Sequence, residues 1–440
     1  MFYIVESDNQ IQRLKEFIDE KVYLEVISSN YNFHPKLNYT VAIYLRPISE
    51  TQGYIIPINH DEGLSIKKDR VYEVLKLFRY LFTFDKKQLL YHFPLKDAID
   101  LQLLSTVDYK KLELPNPGST INWYYNKYSD YRDLNRIIPI SKLYEKCEEN
   151  YKAIECILQY TAPNGFDFYN NIATSVFYLL EQSGLRVTYK EYIDLFKPNN
   201  PLFNTKDNIV YTYYNLYNIT SRPTNAFNSV NFAAIPKAPE FRKAIIPQND
   251  YFVEMDFDGY HLRLLCEQIG YELTDEPAHM QLAKLYFGKD EIAEEDYAKA
   301  KQINFHAIYG KIPPEYAFLP IFERIQNYIN KLWQHFQERG YVEDPISGRR
   351  FTNNLPDMHP QKLMNYMMQS LETSRNILIL KDILRYLQNK KTNITLYTYD
   401  AIIFDFDKKE GKELLVDIEN IMNKGGNYPI KFKYSNNLVL

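Results

Sequence analysis

A chain of 440 residues, 45% apolar and 25% charged, has an ordinary globular composition; it is long enough for two or three hydrophobic cores, since single cores rarely grow beyond about 250–300 residues. Its formal charge of −4 excludes a global attraction to nucleic acid, so any such binding has to come from local basic patches. Three cysteines, Cys147, Cys156 and Cys266, form no CxxC pair, which argues against a zinc site or disulfide frame and for a reducing compartment. The opening MFYIVESDNQ has neither a basic n-region nor a long apolar run, and no later stretch approaches the roughly 18–20 apolar residues of a membrane span. The expectation is a soluble cytoplasmic protein with no membrane partner.

Taken in order, KVYLEV, TVAIYL and GYIIPI within residues 21–60 read as short strands, and RVYEVLKLFRYLF as a helical run, together a small α/β domain. LELPNPGST, 112–120, has the composition of a linker. Residues 141–196 are helical in pattern, and 197–240, rich in proline and asparagine, are mostly loop. Val253 to Phe257 read as a half-buried strand, Gly259 breaks it, and helical spacing resumes at His261, which places Asp256 at a strand end in a cleft. Helices are predicted over 276–287, 294–310, 320–339 and 360–388, then a hairpin over 394–406 and a final helix and strand.

The hairpin segment ITLYTYDAIIFDF turns around Asp400 and Ala401, neither of them Gly or Asn, which is poor chemistry for a tight turn and more often tolerated where a site needs the side chain. Two acids brought together repel unless cations lie between them, and a pair of divalent ions about 3.5–4 Å apart is the usual device for displacement at phosphorus. Lys301, Phe305 and Tyr309 recur at i, i+4, i+8 on one helix face. They read either as a phosphate-gripping ammonium with stacking rings or as two core aromatics with a snorkelling lysine. Arg222 in TSRPTN, Arg349 and Arg350 after Ser347-Gly348, and Asn365 and Gln369 one helical turn apart are each weak alone: clamps on phosphate and base edges, or solvated side chains.

The order of these motifs, from about residue 176 to the C-terminus, resembles the family-A DNA polymerases, the bacterial DNA polymerase I and phage replicase group. DFDGYHLRLL resembles that family's first palm motif, with Asp256 on its aspartate and Arg263 on its closing arginine. KQINFHAIYG is similar to the fingers helix, YDAIIFDF to the H-D-E hairpin, SGRR and NYMMQ to the template- and primer-holding elements, and TSRPTN with VNFAAIP to the T-G-R segment. The resemblance implies an α+β, multidomain fold with right-hand palm and fingers and an N-terminal RNase H-like, 3′–5′ exonuclease-like α/β domain. Its domains would be a degenerate exonuclease-like domain (1–115), a helical linker and reduced thumb (116–220), palm (221–265), fingers (266–345) and palm again (346–440). It implies addition of dNMPs to a primer 3′-OH, with Asp256 and Asp400 catalytic and Asp256, Asp400 and Phe257 holding two Mg2+ ions, Mn2+ being an alternative. Lys301, Phe305, Tyr309 and His261 would face the incoming nucleotide, and Arg222, Arg349, Arg350, Asn365, Gln369 and Tyr399 the DNA. Implied partners are primer-template DNA, dNTPs and a processivity factor or other replisome protein; the setting is a phage or plasmid replicon, in the cytoplasm of an infected bacterium.

Departures from the pattern carry expectations of their own. His261 stands where the family has a glutamate beside the incoming sugar, Tyr297 where it has an arginine, so that Lys299 or another cation has to assist Lys301, and Tyr399 and Ala401 flank Asp400 in place of histidine and glutamate. Phe305 lacks a hydroxyl, which predicts discrimination against dideoxynucleotides. Where an exonuclease needs Asp-x-Glu, KVYLEV offers Tyr23 and Glu25, and no Tyr-x3-Asp follows at the expected place, which predicts no proofreading. Two rival readings stand beside this one: a metal-dependent glycosyltransferase using Asp256-Phe257-Asp258 or Asp405-Phe406-Asp407 as a DxD string, and a catalytically dead DNA-binding accessory.

Overall fold

The computed structural model describes residues 3–105, 112–129, 131–196, 207–225, 231–236, 238–423, 426 and 428–440. Parts of the loop expected over 197–240, and Val230 of VNFAAIP, lie outside the described residues. The chain divides into two units, Met1–Tyr217 with Asn225–Phe232, and Asn218–Thr224 with Ala233–Leu440.

The first unit is built on six strands: β1 (Tyr3–Ile4), β2 (Lys21–Ser28), β3 (Thr40–Pro47), β4 (Tyr54–Pro57), β5 (Tyr80–Thr83) and β6 (Ile99–Asp100). Their spatial order is β1-β4-β3-β2-β5-β6, with β3 antiparallel to both neighbours and β2, β5 and β6 mutually parallel. TVAIYLRP is buried along its whole length because both faces of the sheet are covered. On one face Val22, Leu24, Ile43 and Leu45 pack with Val71, Val74 and Leu75 of α1 (Lys68–Leu75), each large side chain contributing roughly 1.5–3 kcal/mol by leaving water. On the other, Tyr23 and Tyr44 meet Tyr151 and Tyr144 of α2 (Ile140–Ile154), whose buried Ile140, Leu143, Tyr144, Cys147, Tyr151 and Ile154 keep helical spacing.

Two expectations change here. The helical run predicted through FRYLF ends at Leu75, and Tyr80–Thr83 is strand β5, because a short apolar run takes whichever form its neighbours hydrogen-bond. The boundary at 115/116 does not separate compact units: Tyr44 Oη and the Gly53 N–H each donate to Glu148 at 2.8 Å, and Lys21 to the Leu158 carbonyl at 2.7 Å.

The second unit is organised around four antiparallel strands, β7 (Tyr251–Phe257), β8 (Asn393–Thr398), β9 (Ala401–Phe406) and β10 (Ile430–Ser435), in the order β8-β9-β7-β10. The longer helices beside them are α3 (Tyr260–Ile269), α4 (Ala278–Phe287), α5 (Glu294–Tyr309), α6 (Pro320–Arg339), α7 (Pro360–Tyr386) and α8 (Glu413–Met422). The residues expected as palm and fingers fall in this single unit apart from Asn225–Phe232, which group with the first. Gly259 sits at φ 58° between β7 and α3, and a Cβ there would lie 3.0 Å from that of Ala278, so the break after β7 admits only glycine without strain. Among the described residues no helix is long and apolar enough to cross a membrane.

Candidate functional site

In the register of the second sheet, Asp256 on β7 stands opposite Ala401 on β9 and opposite Lys431 on β10. The hairpin turn is Tyr399-Asp400, one residue earlier than the sequence indicated, and Ala401 already belongs to the strand. The Phe257 N–H donates to the Asp400 carbonyl at 3.1 Å, so the two acids occupy neighbouring strand ends. Burial first and the charge of Asp400 second push Asp256 up to about 7. Asp400 is exposed at the turn, yet partial loss of hydration and then the charge of Glu372 raise it as well. Neither carboxylate is in an ion pair among the described residues. The Phe257 ring stacks on Tyr260 at 4.3 Å, leaving only main-chain atoms to meet a metal.

A cavity of about 400 Å3 opens beside this pair, lined by Asp400, Arg222, His261, Lys301, Phe305 and Tyr309 among others. Helix α5 buries Ala300, Ile303, Asn304, Ala307 and Ile308 and turns the opposite face outward. Lys301 is exposed and Phe305 is 62% exposed, so the reading of Phe305 as a core residue fails. The Phe305 and Tyr309 rings lie 4.6 Å apart, and the Tyr309 hydroxyl and His261 Nδ1 share a hydrogen bond. Lys299 does not join Lys301: its ammonium sits over the Phe287 ring at 5.8 Å. His279, which burial holds neutral with its pKa lowered to about 4, lines the cavity instead.

The hairpin tip is held under strain. Tyr399 adopts φ 73°, a conformation non-glycine residues reach only when surroundings impose it. Here the buried Asn376 of α7 donates to the Tyr399 carbonyl at 2.7 Å and to Tyr397 Oη at 3.0 Å, while accepting from Tyr260 Oη at 2.7 Å. The Arg222 guanidinium covers the Tyr399 ring at 4.0 Å.

Other expected DNA-facing residues divide. Arg350 reaches solvent, paired with Glu343 at 2.6 Å and stacked on Tyr341 at 4.1 Å. Arg349, only 6% exposed, donates from Nε to the Ile219 carbonyl at 2.8 Å and so fixes the segment carrying Arg222. Asn365 donates to the Tyr309 carbonyl at 3.3 Å, capping the end of α5, and Gln369 accepts from Thr220 at 3.2 Å. Beneath the Ser347-Gly348 turn, Asp344 is fully buried and accepts from the hydroxyls of Ser347 and Ser370, both at 2.7 Å. Asp344→Ala is expected to cost about 2–4 kcal/mol of stability in a denaturant titration, because it orphans both hydroxyls; a midpoint like the wild type's would show the cluster to be unimportant.

The DxD strings serve local structure. Asp258 is buried, accepts from the Ala278 N–H at 2.7 Å and pairs with Lys431 and with Arg263 (3.6 Å), which lower its pKa against the effect of burial. Arg263 in turn donates to the carbonyls of Asp258 (3.0 Å) and Glu276 (2.8 Å), tying α3 to the start of α4. Asp405, also buried, accepts from the N–H groups of Gln248 (2.7 Å) and Asn249 (2.8 Å). A glycosyltransferase DxD, with both acids on one metal, is therefore not what these residues form. Sequence reasoning missed Glu372, Asn376 and Asp344; the only signal was their being polar residues within or beside apolar segments.

No family model matches the chain. In overall structure it resembles the POL domain of Pol1 from M. smegmatis, solved in complex with DNA primer-template and dNTP, with a TM-score of 0.69 and 12% identity over 99% of each chain. The fold is thus that of a DNA polymerase I polymerase domain. In sequence it is 24% identical over 303 residues to DNA polymerase I of Synechocystis sp., covering 56% of this chain and 30% of the relative. It is 25% identical over 282 residues to DNA polymerase I of Helicobacter pylori, covering 54% of this chain and 31% of the relative. The chain is thus similar in fold to a DNA polymerase I POL domain and in part of its sequence to two bacterial DNA polymerases I, and its matches span under a third of those curated relatives.

Proposed function

We propose that the chain is a DNA-templated DNA polymerase adding dNMPs to a primer 3′-OH. One observation carries the reading: the outward Lys301–Phe305–Tyr309 face of α5 and the Asp400 turn line the same cavity, with Asp256 on the adjoining strand. Primer-template DNA and dNTPs enter as substrates by likeness to the structural neighbour's complex. The acid pair fits divalent cations, since both carboxylates are raised and neither is neutralised by an ion pair among the described residues. Asp256 and Asp400 would hold Mg2+ or Mn2+, beside the Phe257 main chain; when bound, such ions supply Lewis-acid activation of a hydroxyl and neutralise a leaving pyrophosphate. Lys301 binds the triphosphate, Phe305 and Tyr309 stack against the nucleotide, Arg222 with Tyr399 meets the primer end, and Arg350 meets the template backbone. Arg349, Asn365 and Gln369 act by holding these elements in place. Metal-dependent primer extension by the wild type tests the reading, and its absence would end it.

Phe305 gives a second measurable expectation. With no hydroxyl to replace a missing substrate 3′-OH, the wild type should use deoxy substrates over dideoxy ones, and Phe305→Tyr should narrow that preference by about tenfold or more. Equal use of both by the wild type in a chain-terminator assay contradicts it.

The first unit is proposed as an exonuclease-like domain without proofreading. Its β4-β3-β2-β5-β6 order with β3 reversed supports RNase H-like topology. Glu25 on β2 accepts from Tyr23 Oη (3.1 Å) and from Asn150 Nδ2 (2.9 Å), with Lys146 Nζ 3.9 Å away. Burial lowers the Lys146 pKa, but Tyr31, Tyr125 and Glu25 outweigh it and keep the ammonium charged. A protein cation and an amide, four residues apart on α2, thus engage the one acid of KVYLEV. No 3′-end trimming of labelled DNA is expected with Mg2+; trimming abolished by Glu25→Gln would overturn this. A reduced thumb, a processivity partner and a phage or plasmid setting are proposed from the resemblance alone.

A further inference from the structure

Glu372 lies on α7 three residues past Gln369, 2% exposed, and lines the same cavity as Asp400, Lys301 and His261. Its Oε2 is 2.9 Å from His261 Nε2 and 3.3 Å from Arg222 Nε. All three atoms are buried, and none of them makes an aligned hydrogen bond among the described residues. A carboxylate removed from water in this way is tolerated only beside positive or proton-donating groups. Glu372 has two, drawn from different elements: His261 from α3 and Arg222 from the segment that Arg349 anchors. On its other side the His261 ring shares a hydrogen bond at Nδ1 with the Tyr309 hydroxyl. The imidazole thus lies between α5 and α7, its Nδ1 edge against Tyr309 and its Nε2 edge against Glu372.

We propose that Glu372 is the positioning residue for sugar selection in the incoming nucleotide. It supplies from α7, through His261, the carboxylate that α3 lacks at its sugar-facing position. The inference rests on the polymerase reading. Its physical content is that an imidazole flanked on both edges, by Tyr309 and by the Glu372 carboxylate, presents a fixed wall to the 2′ side of the sugar, whereas one without Glu372 rotates about its side-chain torsions and leaves room for a 2′-hydroxyl. The charge of Glu372 also restrains Arg222, which keeps the Tyr399 ring beside Asp400 covered.

The test is primer extension with matched ribo- and deoxynucleotides, comparing kcat/KM ratios for the wild type, Glu372→Gln, Glu372→Asp, His261→Ala and the His261→Ala/Glu372→Gln double variant, with melting curves for each. Glu372→Gln is expected to lower the preference for deoxynucleotides about tenfold. Glu372→Asp, which keeps the charge, should fall between it and the wild type, and the double variant should be no worse than His261→Ala. Should Glu372→Gln not fold, the Glu372→Asp value and its cycle with His261→Ala decide. A preference unchanged within about twofold, additive effects, or a Glu372→Gln defect confined to kcat and metal requirement would each overturn the proposal and leave the polymerase reading standing. A wild type that extends no primer overturns both.

Discussion

Replacing Asp400 with Asn is expected to lower metal-dependent primer extension by at least ~10³-fold, and Asp256→Asn by as much, because each removes a carboxylate that a divalent ion requires. The two acids also predict an inverse effect on stability. Burial and the neighbouring Asp400 push Asp256 up to about 7 in the folded chain, against about 3.9 unfolded. Between those values the folded state binds the additional proton, so the stabilising contribution is full below about 3.9 and is lost as pH rises through about 7. At pH 8 without divalent ions, Asp256→Asn should therefore melt above the wild type, by roughly 2–4 °C for each ~1 kcal/mol relieved. Near pH 4 the two should coincide, and added Mg2+ should raise the wild type's Tm and not the variant's. Parallel pH dependences for wild type and variant, or an extension rate indifferent to Asp400, would remove the acid pair from the mechanism.

Lys301→Met is expected to reduce kcat/KM for the dNTP by roughly 10²–10³-fold, with Lys301→Arg recovering part of the loss. The ammonium is exposed on the cavity face of α5, while the packing of that helix rests on Ala300, Ile303, Asn304, Ala307 and Ile308. Stability should thus change by no more than about 0.5 kcal/mol, as for a surface substitution. Single-turnover kinetics at varied dNTP separate binding from chemistry. A kcat/KM within threefold or so of the wild type would assign the triphosphate to another cation, with Arg222 the first alternative on the cavity wall.

These expectations divide according to what was legible beforehand. Strand Tyr251–Phe257, the Gly259 break and helix Glu294–Tyr309 were readable because each is encoded by residues a few positions apart: alternation, a residue free to take positive φ, and apolar spacing near 3.6. The same locality explains the misses. YLFT in FRYLF is apolar in either form, and only its parallel pairing with β2 makes it a strand. Helix α7 is buried on most of its faces, so no polar stripe set Glu372 or Asn376 apart from the residues around them.

By itself, then, the chain's order of residues determined the elements, the placement of Asp256 and Asp400 at element ends, and the helix face bearing Lys301, Phe305 and Tyr309. Tertiary structure alone decided which neighbours those residues meet. Arg349 and Arg350 adjoin in sequence, yet one is buried against Ile219 and the other reaches solvent, a choice fixed when the hairpin Tyr341–Glu343 with Arg350–Thr352 packs. Asp256 and Asp258 likewise part, the first half-buried opposite Ala401 beside the Asp400 turn and the second buried against Lys431 and Arg263. The physical reason is range: backbone preference and periodicity act within a turn or two, whereas a buried charge is settled by whichever distant partner repays its desolvation.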